Sequence, residues 1–278
     1  MDDVDGFQAA VEDPANRIYN LRMAFLTTLV QALWYISAFY LPSSFEWTAS
    51  FFVILLFFEF YFPFLSEVWT PVPARNPIHL GERYGAFTII VIGESFLSLS
   101  RGVIETTGHT GLISVEGIKI ATGNIVILFV LWWLYFTIPF GTLMAKNPSK
   151  MRLCGYFHYI LHSSVAIMAA GTSLTLQTGL EPEKHVLTSN VAIQIVAWAV
   201  SVYLITLNLV SGMMIGFCKL FLVQFAVRVA VSVILILVAT YGLDAFGGMG
   251  NTLLIMCAPA ILLLGFTILF THKELVKE

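Results

Sequence analysis

The chain alternates between long apolar runs and short polar segments that are rich in Pro, Gly, Ser and charged residues. A helix of about 20 apolar residues is long enough to cross the hydrocarbon core of a bilayer. Eight such runs predict an all-α fold, a polytopic transmembrane helical bundle of about eight spans. The predicted spans cover residues 23–41, 47–69, 84–100, 122–144, 151–176, 191–210, 217–241 and 249–270.

The spans together form one predicted membrane domain, residues 23–270, between an N-terminal segment (1–22) and a short charged tail (271–278). The N-terminal segment is acidic and lacks the basic region and apolar core of a signal peptide, so the first span is expected to direct insertion. The chain is 58% hydrophobic and 11% charged, whereas soluble domains are about 25% charged. Membrane lipids are therefore its expected surroundings.

The basic residues are distributed unevenly between the two ends of the predicted spans. Lys and Arg are retained on the cytoplasmic side of a membrane. Three bases lie on one side, one lies within a span, and ten lie on the other side: Arg17, Arg22, Arg75, Arg83, Lys146, Lys150, Arg152, Lys219, Lys273 and Lys277. This bias predicts that both termini are cytoplasmic. The net charge of −3 and the lack of a basic tract argue against a nucleic-acid partner.

The third span carries an unusual number of charged side chains. At 100° per residue, positions 83, 94 and 101 fall within about 20° of one another. The predicted stripe contains Arg83, Phe87, Ile90, Glu94, Leu97 and Arg101. Glu94 lies about 16 Å along the axis from Arg83, inside the hydrocarbon layer, where ionisable groups are costly and usually face protein or water.

Glu94 is therefore the leading candidate for chemistry, as a carboxylate that binds and releases a proton. The alternative is a structural hydrogen bond or ion pair that fixes helix packing. Glu82 and Arg83, near the cytoplasmic end of the same span, are expected to form a local interfacial ion pair.

Two further spans carry deep charges. Glu59 lies near the middle of the second span, and Arg228 lies inside the seventh. A buried Arg requires a counter-charge, and Glu59 and Glu94 are the deep carboxylates in the sequence. We therefore expect Arg228 to pair with one of them.

The fifth span contributes His158 and His162, whose i, i+4 spacing places both on one face of a helix. Such a pair can relay protons, contact a polar substrate, bind a metal ion or form packing hydrogen bonds. The sequence between them lacks the HExxH glutamate, so no metal and no cofactor is predicted. No Gly-rich phosphate loop and no GxSxG elbow is present either, so the sequence favours a role other than catalysis and names no catalytic residue.

Several segments resemble a known family. The run His79-x-x-Glu82-Arg83-Tyr84-Gly85-x-x-Thr88 continues through Ile89-Ile90-Val91-Ile92-Gly93-Glu94 and is similar to the signature of the bacterial low temperature requirement protein A family. The segments 132–136, 155–159 and 170–171 are similar to its downstream pattern. The resemblance implies a multi-span membrane fold and a polar core at His79, Glu82, Arg83, Glu94 and His158, but it implies no substrate.

Members of that family usually have additional helices before this motif, opening with an acidic, Phe-rich segment that is not found here. The resemblance thus describes either a divergent short member or a chain without its first spans.

Three functions are compatible with the sequence. The first is a transporter or channel for a small solute or ion, proton-coupled through Glu94, with Arg228 as its counter-charge and His158 and His162 along the path. The second is an intramembrane enzyme that acts on a lipid through the same side chains. The third is a non-catalytic membrane scaffold or stress-response component, and oligomers are compatible with all three.

Overall fold

The computed structural model describes residues 17–40, 44–69, 76–107, 114–180, 187–216 and 219–275. By its internal contacts the chain divides into two compact units, Met1–Arg75 and Asn76–Glu278. The described part of each unit is helical. Helices are the expected solution in a bilayer, because a helix satisfies its backbone hydrogen bonds within one segment.

The first unit contains two long helices, α1 (Arg17–Tyr40) and α2 (Phe45–Trp69), which pack against each other. Trp34 on α1 lies edge-on to Phe52 on α2, with ring centroids 5.4 Å apart. Most large apolar side chains of both helices are exposed, as expected for a surface that meets lipid.

The second unit contains the remaining helices and most of the buried side chains. The helices are α3 (Pro77–Thr107), α4 (Val115–Phe136), α5 (Phe140–Lys146), α6 (Met151–Leu180), α7 (Ser189–Ile215), α8 (Lys219–Phe246) and α9 (Met249–Leu275). Helix α6 packs against α3, α4 and α7, α8 packs against α7, and α9 packs against α4 and α8. The centre of the unit therefore lies among α4, α6 and α7.

Local sequence signals set several helix ends. Ser114 and Thr188 are N-caps whose hydroxyl oxygens accept hydrogen bonds from the backbone amides of α4 and α7. Gly216, at the C-terminal end of α7, has φ of +114°, a conformation that residues with a Cβ rarely adopt. At the same end, the Lys150 Nζ donates to the Met213 carbonyl at 2.7 Å, which satisfies a backbone acceptor that the helix leaves unpaired.

Helix α3 approaches α5 closely because both helices have glycine at the crossing. A Cβ on Gly81 would lie 2.6 Å from the Cα of Gly141, closer than packed atoms allow. A short connection separates α4 from α5 because of Pro139. Proline has no backbone N–H, so it cannot donate the hydrogen bond that would continue α4.

Eight helices within the described residues are long and apolar enough to cross a membrane, which confirms the predicted fold class. The predicted span 122–144 lies within one candidate membrane span, Val115–Lys146, in which Pro139 separates α4 from α5. Helix α9 also extends to Leu275, so the predicted tail is mostly helical in the described residues. The single membrane domain over residues 23–270 stays a prediction.

Candidate functional site

The structure brings His158 and His162 together in the interior of the second unit, as their spacing predicts. Both side chains are buried, with 1% and 7% exposed, and their ring centroids lie 5.8 Å apart. They project from α6 toward residues of α3 and α4. We call His158, His162, Tyr84, Thr88 and Tyr135 the histidine cluster.

The hydrogen bonds of His158 define its tautomer. Its Nδ1 lies 2.8 Å from the Cys154 carbonyl oxygen, which can only accept, so Nδ1 carries a proton. In the neutral ring Nε2 is then an acceptor, and it lies 3.0 Å from the Tyr135 hydroxyl, which donates to it.

His162 has the opposite tautomer. The Thr88 hydroxyl donates its single proton to the Tyr84 carbonyl at 2.8 Å. The Thr88 oxygen is therefore an acceptor for the His162 Nε2–H, which lies 2.8 Å away. Thr88 therefore contacts His162 from α3, and Tyr135 contacts His158 from α4, while the two imidazole rings lie 5.8 Å apart on α6.

Aromatic rings fix the orientation of both imidazoles. Tyr84 stacks on His158 with ring centroids 4.3 Å apart, and Phe140 meets the same ring edge-on at 4.6 Å. Phe87 contacts His162 edge-on at 4.7 Å. Gly155 allows the Tyr84 stack, since a Cβ there would lie 2.7 Å from the Tyr84 hydroxyl oxygen.

The thiol of Cys154 is close to this cluster but poorly placed for nucleophilic chemistry. Its Sγ lies 3.6 Å from the His158 Nδ1, the nitrogen that already carries a proton directed at the Cys154 carbonyl. A base must present a free lone pair to the thiol, which this nitrogen does not have. Within the described ranges, no group of three or more His, Cys, Asp and Glu side chains is arranged to hold a metal ion.

A second polar cluster lies about 15 Å further along α6, by the helical rise from His162 to Thr172. The Asn124 Nδ2 donates to the Thr175 hydroxyl at 3.2 Å, and the Asn124 Oδ1 accepts from the Thr172 hydroxyl at 3.2 Å. All three side chains are fully buried. This amide links α4 to α6.

The charged stripe on α3 exists but faces outward, which corrects the expectation that Glu94 is gathered into the interior. The exposed positions are those of the predicted stripe: Arg83, Phe87, Ile90, Glu94, Leu97 and Arg101. The buried face carries smaller side chains at Gly85, Thr88, Ile92, Ser95, Leu99 and Gly102. Glu94 keeps 54% of its side chain exposed and lies 3.9 Å from Arg101. The predicted Glu94–Arg228 pair is therefore wrong, and a role for Glu94 in activity stays a prediction.

The polar residues at the start of α3 also pair differently from the prediction. Glu82 contacts His79, with the Oε2 and Nδ1 atoms 3.0 Å apart, rather than Arg83. His79, Glu82 and Arg83 are all exposed, so they do not join the histidine cluster. Their spacing at the first turn of the helix explains this, because His79 and Glu82 are i, i+3 neighbours.

Glu59 and Arg228 belong to different units. Glu59 is half-buried in the first unit and accepts a hydrogen bond from the Trp34 Nε1 at 3.2 Å. Arg228 is 2% exposed in the second unit, and its Nε and Nη1 have no hydrogen-bond partner among the described residues. The predicted Glu59–Arg228 pairing joins the two units and stays a prediction.

Sequence reasoning identified the two histidines but assigned no role to Thr88, Tyr84 or Tyr135. A signal was present, since all three lie in the segments that carry the family resemblance. Thr hydroxyls in helices often bond to their own backbone, as Thr88 does, so its second contact with His162 could not be expected from the sequence.

An eight-span helical chain with a buried polar interior is an integral membrane protein. Residues 6–266 match the family model described as Bacterial low temperature requirement A protein (LtrA), and the chain belongs to this family. No curated protein and no solved structure matches the chain.

Proposed function

We propose that the protein is a proton-coupled transporter or channel whose proton path is the histidine cluster. One observation carries this proposal: two buried imidazoles on one membrane-spanning helix lie 5.8 Å apart, and each contacts a hydroxyl group of another helix. Imidazole and hydroxyl groups each donate and accept, so together they can relay a proton where water is excluded.

The arrangement of protons supports a relay. Each of His158 and His162 directs one ring nitrogen at a hydroxyl of the path, one as acceptor and the other as donor. The titratable side chains that face His158 are Tyr84, Tyr135, Cys154 and His162. None of these four is a carboxylate, so a proton on either imidazole is not held by an ion pair within the cluster.

The burial of the cluster favours gated movement over an open pore. Both histidines are nearly inaccessible to solvent, so protons must arrive by hopping or by a conformational change that opens one side. Glu94 is not part of this path, since it lies about 120° around α3 from Thr88. The proposal thus keeps the transport function that the sequence favours and moves its centre to the histidines.

The basic residues support a cytoplasmic position for both termini. Lys150 donates to a carbonyl at the C-terminal end of α7, which ends at Ile215, and α8 begins at Lys219. Two of the predicted cytoplasmic bases thus lie at one end of the second unit, as the distribution of charge requires.

Proton flux through reconstituted vesicles tests the proposal. A potassium diffusion potential would drive protons, and an enclosed pH-sensitive dye would report them. We expect Thr88→Val and Tyr135→Phe each to lower the flux about tenfold, which corresponds to about 1.4 kcal/mol, the cost of one lost buried hydrogen bond.

Thr240→Val is the matched control, because the hydrogen bond of the Thr240 hydroxyl within the described residues goes to the carbonyl one turn earlier in its own helix. This variant should conduct like the wild type. Unchanged flux in both Thr88→Val and Tyr135→Phe, with normal folding, would refute the path. Flux absent from the wild type under all gradients would refute the function.

A further inference from the structure

Helices α7 and α8 face each other along two stripes with the same spacing. Ser201, Asn208 and Gly212 lie on α7, and Phe221, Arg228 and Ser232 lie on α8. Intervals of 7 and 4 residues keep each stripe within about 40° around its helix. The Ser201 hydroxyl reaches the Ser232 carbonyl at 3.5 Å, and Gly212 lies against the Phe221 ring, so the two stripes meet.

Asn208 and Arg228 lie between these two contacts. Measured from the Ser201–Ser232 contact, Asn208 is seven residues along α7 and Arg228 is four residues along α8. The helical rise places them at levels that differ by about 4–5 Å. Ser232 is one turn from Arg228 on the same face. Arg228, Asn208 and Ser232 thus share one buried part of the α7–α8 interface, which we call the arginine pocket.

Five side-chain atoms of the arginine pocket have no hydrogen-bond partner among the described residues. They are Nε and Nη1 of Arg228, Nδ2 and Oδ1 of Asn208, and Oγ of Ser232. The exposed fractions of these residues are 2%, 0% and 3%. Buried polar atoms are almost always bonded, so such a concentration of unpaired ones calls for a partner that the described residues do not supply.

The charge of Arg228 identifies the class of ligand. Arg228 lies about 10 Å along α8 from Phe221, by the helical rise, and α8 is one of the candidate membrane spans. Tyr203 interacts electrostatically with Arg228, but its hydroxyl donates to the Leu131 carbonyl at 3.0 Å, and a neutral phenol does not balance a cation. A guanidinium without a counter-charge is costly in this setting, and a neutral solute or water would leave that cost in place.

We propose that the arginine pocket binds a small anion from the aqueous phase. Arg228 would supply the charge, and the Asn208 amide and the Ser232 hydroxyl would donate further hydrogen bonds, the donor set that carboxylates and phosphates take in proteins. The binding stands on these residues alone. That this anion is the solute moved with protons rests on the proposed function.

Binding can be measured on the full chain in an uncharged detergent. Thermal unfolding, followed by tryptophan fluorescence, is recorded in sodium gluconate and after replacement by chloride, nitrate, acetate or phosphate at constant sodium concentration. We expect at least one of these anions to raise Tm saturably, by about 5 °C at 100 times its Kd. If none does, the proposal is wrong.

Two variants assign the response to the pocket. Arg228→Met should abolish it, whereas Lys146→Met, which removes a charge from an exposed site, should retain it. Asn208→Asp keeps the arginine and gives it an internal carboxylate. This variant should show a raised Tm in gluconate and no further response to anions. An anion-dependent rise in Tm that persists in Arg228→Met or in Asn208→Asp would overturn the site. If Arg228→Met does not fold, Asn208→Asp alone provides this test.

Two further arms separate other sources of negative charge. Glu59→Gln should leave the response unchanged. A response that appears only in this variant, or is much stronger in it, would assign the counter-charge to Glu59 and overturn the proposal. In nanodiscs the response should not depend on the fraction of phosphatidylglycerol. If Tm rises with the fraction of phosphatidylglycerol and does not change with any of the salts, the pocket holds a lipid headgroup, and binding of a free anion is refuted.

Anion flux distinguishes this inference from the proposed function. Vesicles loaded with the stabilising anion should release it faster with wild-type protein than with Arg228→Met. If binding is present and neither anions nor protons move, the pocket stands and transport fails. If protons move and no anion binds, transport stands and the pocket fails.

Discussion

Thr88 and Glu94 show how single residues select the inner face of α3. Thr88 is small, and its hydroxyl donates to the backbone carbonyl of Tyr84 in its own helix. It can therefore be buried, and its oxygen can still accept a hydrogen bond from the His162 Nε2–H. Glu94 would bring a full charge into the interior, where the side chains that α6 presents to α3 include His162, whose Nε2–H is already donated to Thr88. Its partner is Arg101, two turns along the same face, so the pair is made on the exposed side.

The buried Asn124 amide gives a prediction at the same scale. Its Oδ1 accepts from Thr172, and its Nδ2 donates to Thr175. Thr172→Val keeps the shape of the side chain and leaves Oδ1 unpaired. The free energy of unfolding should fall by about 0.6–1.7 kcal/mol, the range for hydrogen bonds between membrane helices. Reversible unfolding in mixed detergent micelles measures this change.

The control for that experiment is again Thr240→Val, because the Thr240 hydroxyl donates to the Ile236 carbonyl of its own helix. It should unfold within about 0.5 kcal/mol of the wild type. Equal losses in the two variants would show that the cost is that of replacing any helical Thr by Val, and that the Asn124 contact contributes nothing.

At the scale of the helices, the sequence determines which segments cross the membrane but not how each helix is turned. Runs of apolar residues are visible because lipid and protein interior are both apolar. For the same reason a large apolar side chain gives no direction, and Phe87, Ile90 and Leu97 suit either surface. The face of α3 that turns inward is set by close packing at Gly81 and Gly102 and by the hydroxyl of Thr88. These features take effect only against a particular neighbouring helix, which one sequence does not identify.

The two histidines of the cluster could therefore be predicted from the sequence, but their partners on α3 and α4 could not. The i, i+4 spacing of His158 and His162 fixes their common face on α6, whatever the rest of the chain does. Tyr135 reaches His158 only because α4 lies beside α6 at that level, a fact of tertiary packing that one sequence does not contain.

Two glycines of α3 give a prediction for helix packing. A Cβ on Gly81 would lie 2.6 Å from the Gly141 Cα, which is backbone and cannot rotate away. Gly81→Ala should therefore force α3 and α5 apart and lower the free energy of unfolding by about 1–3 kcal/mol. Thermal unfolding in detergent measures the loss.

Gly93→Ala is the matched control, because among the described residues no atom beyond its neighbours in its own helix lies within 4 Å of a Cβ at that position. Alanine is the better helix former by about 1 kcal/mol, so this variant should equal or exceed the wild type. If Gly81→Ala were equally neutral, the close crossing of α3 and α5 would not contribute to stability.

At the scale of the whole molecule, polar contacts at the two ends of the second unit differ in kind. At one end Lys150 and Asn147 donate to the last carbonyls of α7. At the other end the Glu116 carboxylate accepts from the Gly250 amide at 2.6 Å, at the start of α9. The Lys150 ammonium lies at the negative end of the α7 dipole, and the Glu116 carboxylate lies at the positive end of the α9 dipole, so each charge stabilises the helix end that it meets.

These ends correspond to the two sides of the membrane in the proposed orientation, and labelling can test which is which. Helix α4 begins at Val115, which is 71% exposed, and α5 ends at Lys146, also exposed. In a variant without native cysteines, Val115→Cys should react with a membrane-impermeant maleimide in intact cells. Lys146→Cys should react only after the cells are permeabilised, because its end carries the excess of Lys and Arg that is retained in the cytoplasm. The reverse pattern would invert the orientation. Labelling of both positions in intact cells would mean that Val115 and Lys146 are not on opposite sides, which would contradict the assignment of this segment as a span.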